Sequence, residues 1–431
     1  MKVMGIDIGT TSVGLSVLDR QTRRQVKAET IPGGSFIRTD RPWEKLQKVD
    51  EIEKKVIDAV QELLSEFKDI EAIGLTGQMH GIVYIDRKGI CVSPLYTWQD
   101  GRGGRKDFEG KSLTEEIYIK TGIHVYSGYG WVTHLYNQRK NLVPETAASF
   151  CTIADYIGMR LTGRESPLIH SSMAASFGFF DLEKGQFRTD LLKDLGVTGD
   201  ILPDTTTKVA PLGKFRGIPV YTAIGDNQAS VLGAAGREPG SILINMGTGG
   251  QISVISDRNI QIPGIETRPF LDENYLLAGA SLCGGRAYAV LENFFRQYGK
   301  AAGIGDCPQY DIMDKILKEA QPEEPLLVRT TFQGTRMHPD MRGSIEGISE
   351  ENFTPAALIN GVLRGMAREL YHMYREISEQ IKLEVPVLAA SGNGIRKNPW
   401  LQKAFEEVFE KKLALSPYIE EAACGAAVSC L

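Results

Sequence analysis

Three things are missing from this sequence: a C-x-x-C pair, an apolar run of about 18 residues, and a run of lysines and arginines long enough to make a basic stripe or arm. The cysteines, Cys91, Cys151, Cys283, Cys307, Cys424 and Cys430, are scattered, so reduced thiols in a cytosol fit better than a disulfide scaffold or a zinc knuckle. Without the apolar run there is no candidate membrane span. Met1 leads straight into a strand pattern, with no charged segment ahead of an apolar one, and the expectation is a cytoplasmic chain that is not exported. A formal net charge of -5 and the lack of a basic stripe argue against a nucleic-acid partner. Low-complexity tracts and short-period repeats are absent as well. What remains is 431 residues, 42% of them hydrophobic, enough to bury two large cores in about two or three domains.

What is present is a turn made twice. Ile6-Asp7-Ile8-Gly9-Thr10-Thr11-Ser12 sits between the apolar runs Val3 to Ile8 and Val13 to Leu18, and Ile244-Asn245-Met246-Gly247-Thr248-Gly249-Gly250 sits between Ile242 to Met246 and Ile252 to Ile255. Each reads as a hairpin whose turn of Gly and Thr gathers backbone N–H groups and hydroxyls, a concave donor set suited to anionic oxygen. Either copy alone is simply a turn. Together, opening two halves of similar length, they imply a nucleotide held between two related domains, with Gly9, Thr10, Thr11 and Ser12 on one side and Gly247, Thr248 and Gly249 on the other. A carboxylate inside a phosphate turn would repel its ligand unless a divalent cation stood between them. Asp7 therefore implies Mg²⁺, held through water.

Apolar residues between Trp43 and Phe67 recur on one helix face, and the short strand Ala72 to Leu75 follows. Hairpin, helix and strand in that order belong to a layered α/β domain. Polar residues at the end of a sheet strand, here Thr76 to Gly81, are where ligands bind in such domains. Further helices are expected at Leu113 to Thr121 and Val132 to Lys140, a buried stretch at Phe150 to Leu161, and a polar loop reaching the cleft at Ser171 to Ser176. A strand ends at Ile224, and Asp226 is placed to cap the small-residue helix that begins near Gln228. Arg237-Glu238-Pro239-Gly240 breaks the pattern, dividing the chain into domains of residues 1–237 and 238–431. The second half carries helices at Ala287 to Tyr298 and Ala356 to Ile381, a strand at Val385 to Ala390, a helix at Lys397 to Lys411, and an Ala-rich helix from Glu420 to Leu431.

Asp226 is the candidate catalytic base. A carboxylate at a helix start is held rigidly and still presents one oxygen to a substrate hydroxyl; in a loose phosphoryl-transfer transition state it orients that hydroxyl and takes the proton late. Gly392-Asn393-Gly394 after an apolar strand offers a platform where missing side chains let a flat base lie against the backbone, though as a local signal it is also an ordinary loop. Gln78, His80, Gln99, Asp100 and Arg102 form a set of paired donors and acceptors that matches a polyhydroxylated ligand. Trp98 offers an apolar wall for a sugar's C–H face.

These motifs resemble those of the FGGY carbohydrate kinase family, within the actin, Hsp70 and hexokinase superfamily. The resemblance covers essentially the whole chain. Gly5 to Ser12 resembles the first phosphate motif, Gly225-Asp226-Asn227 the base motif, Asn245 to Gly249 the second phosphate motif, and Ser391-Gly392-Asn393-Gly394 the adenosine motif. Gly334-Thr335-Arg336 with Arg342 to Ile348 resembles a further paired segment, with Thr335 where the family has Glu. The resemblance implies two actin-like (ribonuclease H-like) α/β domains with an interdomain cleft that closes on the sugar, ATP and Mg²⁺ as cofactors, and it allows a homodimer. It also implies contact of Met79, His80 and Asp100 with a ketose, and of Thr10, Thr11 and Thr248 with phosphates. Gly77-Gln78-Met79-His80-Gly81 is similar to both the xylulose- and sedoheptulose-phosphorylating branches. Trp98-Gln99-Asp100-Gly101-Arg102 and Gln228-Ala229-Ser230 look more like the sedoheptulokinase form. The expected reaction is conversion of sedoheptulose to sedoheptulose 7-phosphate, with D-xylulose as the rival substrate and a catalytically silent sugar or nucleotide sensor as the rival class.

Overall fold

In the computed structural model, which describes residues 1–320, 326–335, 337–383 and 387–431, the chain forms two compact α/β units. The first comprises Met1–Gly236, Arg268–Asn274 and Tyr418–Leu431; the second comprises Arg237–Thr267 and Tyr275–Pro417. The halves divide at Arg237 along the sequence, whereas in space the last helix and one short segment of the second half join the first unit.

The first unit is built on a seven-stranded sheet in the order Pro211–Phe215, Ile218–Tyr221, Ile70–Gly77, Lys2–Ile8, Ser12–Asp19 and Gln25–Pro32, with Ile224–Gly225 also paired to Ile70–Gly77. Lys2–Ile8 and Ser12–Asp19 make the expected antiparallel hairpin, closing with Ile8 opposite Val13. Lys2–Ile8 also pairs in parallel with Ile70–Gly77, which sets Asp7 opposite Thr76. The central strands are buried on both faces, as the run Val3, Met4, Gly5, Ile6 requires. One face takes the helix Ile153–Thr162, whose Gly158 lies against Leu75. The other takes the last helix, Glu421–Ser429: a Cβ added at Gly5 would come 1.8 Å from the carbonyl oxygen of Ala423, and one at Gly74 would come 1.8 Å from that of Ala426. Small residues on both partners bring this helix onto the sheet backbone, and Gly425 brings it equally close to Ala229 of the helix Asp226–Ala235.

Two local expectations are corrected here. The helix predicted from Trp43 starts at Val49, because Leu46–Gln47 pairs as a strand with Leu95–Tyr96 and Lys48 is extended. From there it buries Val49, Ile52, Val56, Ala59, Val60, Leu63 and Leu64 on one face. The loop predicted at Ser171 to Ser176 is instead a helical turn, Ser171–Ala174, running into a tighter one, Ala175–Phe177, and most of it is buried. His170 makes this possible by accepting the Ser172 N–H on Nδ1, at 3.2 Å. The helix Leu113–Thr121 begins and ends where predicted, with a Ser112/Glu115 capping box and Gly122 left-handed at φ 69°.

The second unit holds a six-stranded sheet in the order Ile265–Pro269, Tyr275–Ser281, Gly250–Ser256, Ile242–Met246, Val387–Ser391 and Lys412–Leu415. Its hairpin closes with Met246 opposite Gly250. Ile242–Met246 pairs in parallel with Val387–Ser391, setting Asn245 opposite Ser391 as Asp7 is set opposite Thr76. The repeat therefore extends from the turn to a third strand. The helices Gly284–Ala301 and Pro355–Gln380 extend slightly beyond their predicted spans at their N-terminal ends, and the helix predicted at Lys397 is a turn, Asn393–Arg396, followed by Pro399–Phe409. Val385 of the predicted strand and Arg336 of the Gly334-Thr335-Arg336 segment lie outside the described residues. No helix among the described residues is long and apolar enough to cross a membrane.

Candidate active site

The first turn is held from behind by polar side chains. The N–H of Gly33 donates to the Thr11 carbonyl at 2.7 Å, and Gln47 Nε2 donates to the Thr10 carbonyl at 2.8 Å. The Thr10 hydroxyl accepts from Trp98 Nε1 at 3.0 Å and donates to Gln78 Oε1 at 3.4 Å. It is thus engaged within the first unit, by two residues assigned from sequence to the sugar. Thr11 is exposed and Ser12 half-buried.

Asp226 stands at the end of the strand Ile224–Gly225, one position further into its helix than the sequence implied. Gly225 is the N-cap, extended at φ -60° and ψ 145°, and Asp226 is the first helical residue. Its Oδ1 accepts the N–H of Asn227 at 2.6 Å. The turn that carries it is tied down twice: Thr76 Oγ1 donates to the Ile224 carbonyl at 2.7 Å, and the Gly225 N–H donates to Ser172 Oγ at 3.0 Å. Burial raises the Asp226 carboxyl above its ordinary value, with the Asn227 N–H and the charge of Arg268 pulling the other way. Asp7 is raised further, to about 8, by burial first and then by the charges of Asp226 and Glu420. Its Oδ1 is buried without a hydrogen-bond partner. Glu420 reaches this cluster from the start of the last helix, where its Oε1 accepts the Thr30 hydroxyl.

The expected sugar residues divide into three kinds. Gln78, Met79 and His80 follow the strand Ile70–Gly77. His80 adopts a left-handed φ of 71°, rare for a residue with a side chain, and is pinned there by Ser176: its N–H donates to Ser176 Oγ at 2.9 Å, and its Nδ1 lies 2.8 Å from the Ser176 carbonyl. Tyr129 stacks on its ring at 4.8 Å. Met79 is buried beneath Gly225, and Trp98 is 47% exposed. Asp100 and Arg102 behave differently. Both are buried, Arg102 Nε lies 2.6 Å from Asp100 Oδ1, and each Asp100 oxygen accepts two hydrogen bonds, Oδ1 from the Arg102 backbone N–H and Nε, Oδ2 from Lys45 N and Arg102 Nη2. With the Arg102 guanidinium over the Tyr96 ring at 4.3 Å and bonded to Asn137, this pair is a brace beneath the Trp98 loop. Gln99 is not brought into the group: it is exposed and lines a separate depression of about 650 Å³ with residues such as Arg38 and Arg41.

In the second unit, Gly247, Thr248, Asn393 and Gly394 line one cavity of about 1110 Å³, large enough for a nucleotide-sized ligand. Gly249 and Gly392 stand behind it. Gly392, at φ 92°, has Met246 of the hairpin strand where a Cβ would be, 2.6 Å from its carbonyl oxygen. The helix Gly284–Ala301 abuts the turn through its first residues, with Gly285 N–H donating to the Gly247 carbonyl and Arg286 N–H to that of Thr248, both at 3.0 Å. Tyr288 and Tyr310 stack at 5.7 Å along one wall, and Trp400 Nε1 donates to Asp314 at 2.9 Å along another.

Models of the FGGY family of carbohydrate kinases match both parts of the sequence, the N-terminal domain over residues 2–233 and the C-terminal domain over 242–431. The chain belongs to this family. It is an ATP-dependent sugar kinase, a phosphotransferase with an alcohol acceptor. Among curated relatives, the sedoheptulokinase of Mus musculus is 25% identical over 477 residues, covering 99% of this chain and 96% of its own. The gluconokinase of Bacillus subtilis (strain 168) is also 25% identical, over 458 residues, 99% of this chain and 86% of its own. The crystal structure of xylulose kinase from Rhodospirillum rubrum shares the fold with a TM-score of 0.82 and 23% identity, covering 100% of this chain and 89% of that one.

Several residues at the FGGY kinase site escaped the sequence reading. Gln47 and Arg268 reach the turn and the residue beside the base from distant segments, and no local pattern announces a single Gln or Arg; Ser172, from the segment expected to reach the cleft, accepts the Gly225 N–H. Arg286, Tyr288 and Trp400 fall on helix patterns, where an amphipathic reading assigns them to packing or to solvent. A usable signal was the Cys283-Gly284-Gly285-Arg286 start of that helix, since paired glycines at a helix N-terminus permit close approach.

Proposed function

We propose that this FGGY kinase transfers the γ-phosphoryl group of ATP to a ketose, sedoheptulose, giving sedoheptulose 7-phosphate, with Asp226 as the base. The observation that carries the reading is Asp226 itself: a partly buried carboxylate at the mouth of a tied-down strand-to-helix turn, in the same unit as Gln78, His80 and Trp98. Burial makes it a better proton acceptor than an exposed Asp. The sugar hydroxyl forms the new O–P bond as the bond from the γ-phosphorus to the bridging oxygen breaks; ADP leaves, and the hydroxyl proton passes to Asp226.

The remaining roles follow from placement. Gln78, His80 and Trp98 meet the ketose, Met79 supports them, and the Asp100–Arg102 brace fixes the loop that presents Trp98. The Gly9-Thr10-Thr11-Ser12 turn offers backbone N–H groups to phosphate oxygens, since the Thr10 hydroxyl is committed to Trp98 and Gln78. Gly247, Thr248 and Gly249 serve the phosphates from the second unit, with Gly392, Asn393 and Gly394 beside the adenosine. Asp7 fits Mg²⁺, because its buried Oδ1 has no hydrogen-bond partner and its carboxyl, raised by burial and then by the charges of Asp226 and Glu420, is one that a cation would stabilise in its ionised form. Among the described residues no three His, Cys, Asp or Glu side chains could hold a metal ion, so water and phosphate oxygens would complete its shell. When bound, Mg²⁺ neutralises charge on the transferring phosphoryl group.

Sedoheptulose is favoured over smaller ketoses by the Trp98-Gln99-Asp100-Gly101-Arg102 and Gln228-Ala229-Ser230 forms and by the sedoheptulokinase similarity. ADP release measured across five- to seven-carbon ketoses tests it. Each hydrogen bond that the extra hydroxyls of a seven-carbon sugar make and D-xylulose cannot is worth about 1–3 kcal/mol, so on this reading kcat/KM should favour sedoheptulose by roughly tenfold or more. A preference for D-xylulose in direct competition overturns the sedoheptulose assignment and leaves the kinase.

A further inference from the structure

We propose that Gln47 is a positioning residue through which the phosphate turn senses the acceptor sugar. Gln47 lies at the end of the short strand Leu46–Gln47 and is buried, with 1% of its surface exposed. Both ends of its amide are used. Nε2 donates to the Thr10 carbonyl at 2.8 Å, and Oε1 accepts from Gln78 Nε2 at 3.0 Å. Gln78 Oε1 in turn accepts from the Thr10 hydroxyl at 3.4 Å, which closes a ring of Thr10, Gln47 and Gln78, and Trp98 Nε1 joins it by donating to that same hydroxyl at 3.0 Å.

The ring joins two kinds of residue. Gln78 and Trp98 belong to the sugar set and Thr10 to the phosphate turn; the inference rests on that assignment. The longest link is the Thr10 to Gln78 bond, at 3.4 Å beyond the usual range of an O–H···O hydrogen bond, and it is the one a sugar hydroxyl donating to Gln78 Oε1 would replace. Gln47 ties the Thr10 carbonyl to Gln78, so a shift of Gln78 on meeting the sugar is passed to the turn backbone. A sugar that settles on Trp98 and Gln78 then changes where the turn holds Thr10, and with it the turn's grip on phosphate. By linkage the effect is reciprocal: sugar tightens nucleotide binding by the factor by which nucleotide tightens sugar binding. Without the ring the turn no longer distinguishes a loaded sugar site from an empty one, and water competes as phosphoryl acceptor.

The test uses the full chain with the ketose that the wild type phosphorylates fastest and a non-hydrolysable ATP analogue. Calorimetry gives the analogue's affinity with and without sugar, and ADP release without sugar gives the hydrolysis rate. Wild type should show an affinity gain of about fivefold or more on sugar addition. Gln47→Met, similar in shape but unable to donate or accept at the amide positions, should bring that gain close to one and raise the ratio of sugar-independent hydrolysis to sugar phosphorylation. Gln47→Glu should do the same, because it loses the donor to the Thr10 carbonyl. If Gln47→Met does not fold, Thr10→Val opens the ring at its other side and decides the matter. Folded variants with the wild-type affinity gain and hydrolysis ratio overturn the proposal while the kinase reading stands. A wild type without any sugar-dependent gain overturns it too, and one that phosphorylates no ketose takes the functional reading with it.

Discussion

The two hairpin turns of this kinase share a backbone plan and differ in what stabilises them. Around Gly9 to Ser12 side chains join the backbone bond from Gly33: Gln47, Gln78 and Trp98 converge on Thr10, and carboxylates gather at Asp7, Asp226 and Glu420. Around Gly247 to Gly250 the support comes from backbone: a Cβ at Gly284 would meet the Gly249 carbonyl carbon at 2.2 Å, and one at Gly394 would meet the Met246 carbonyl oxygen at 2.7 Å. The matched positions Asp7 and Asn245 show the difference most directly. Asp7 has a buried oxygen without a partner, whereas Asn245 Nδ2 donates to Ser391 Oγ at 2.9 Å. A buried amide with its partner stabilises the fold, whereas a buried carboxylate oxygen without one calls for an explanation, which the proposed Mg²⁺ role of Asp7 supplies. Under the proposed function both copies of the motif face the nucleotide, and only the first carries the carboxylate.

The largest expected effect removes the chemistry from the first unit and leaves the second intact. Asp226→Asn should lower turnover by about 100-fold or more, the scale for losing a general base, while the analogue of ATP binds as before. Near-normal turnover of the purified variant would remove Asp226 from the mechanism. Asp7→Asn gives the first turn the residue type of the second. If Asp7 holds Mg²⁺ through water, half-maximal activity should need roughly 10–100-fold more Mg²⁺. An unchanged Mg²⁺ titration would show that the two turns differ in sequence but not in role.

How much of this was legible in the sequence follows the same division. The turns, the strands beside them and the helix at Leu113–Thr121 were readable because turn residues, short apolar runs and helical spacing are local signals. The start of the helix at Val49 was not, because pairing of Leu46–Gln47 with Leu95–Tyr96 is a long-range event that overrides helical spacing. The place of Asp226 after a strand was legible, as was a polar segment at Ser171 to Ser176. Gln47 was invisible, since both of its hydrogen bonds are to residues far away in sequence. Asp100 and Arg102 show the converse: their residue types fitted a sugar site, but two residues apart in a tight turn they satisfy each other. The last helix belongs to the first unit through small residues, and an Ala-rich pattern does not name its partner.

A smaller effect tests the backbone support of the second turn. A Cβ at Gly285 would lie 2.3 Å from the Gly247 carbonyl oxygen, a contact between two backbones that no side-chain rotation relieves. Gly285→Ala should displace the turn or the helix start at about 1–2 kcal/mol, which raises the KM for ATP roughly tenfold and leaves the KM for sugar near the wild-type value. A change confined to the sugar KM would remove the second turn from the nucleotide site.

The smallest effect concerns stability and separates the units by their histidines. His338 and His372 of the second unit are exposed, whereas His134 of the first is 1% exposed, lies 3.0 Å from the Tyr84 hydroxyl through Nδ1, and is lowered by burial from 6.5 to about 4. Between those two values the unfolded chain binds a proton that the folded chain does not. The contribution of His134 is therefore fully present above about pH 6.5 and is lost as the pH falls towards 4. Asp155, pushed up to about 7 by burial, acts in the opposite direction, so the comparison must be between variant and wild type at each pH. His134→Asn leaves an acceptor for the Tyr84 hydroxyl but nothing to titrate. Its stability relative to wild type, from denaturant melts, should improve by about 1 kcal/mol between pH 7 and 5.5. A constant offset between the two proteins over that range would mean that His134 is protonated as readily in the folded state as in the unfolded one, and that acid sensitivity does not distinguish the two units.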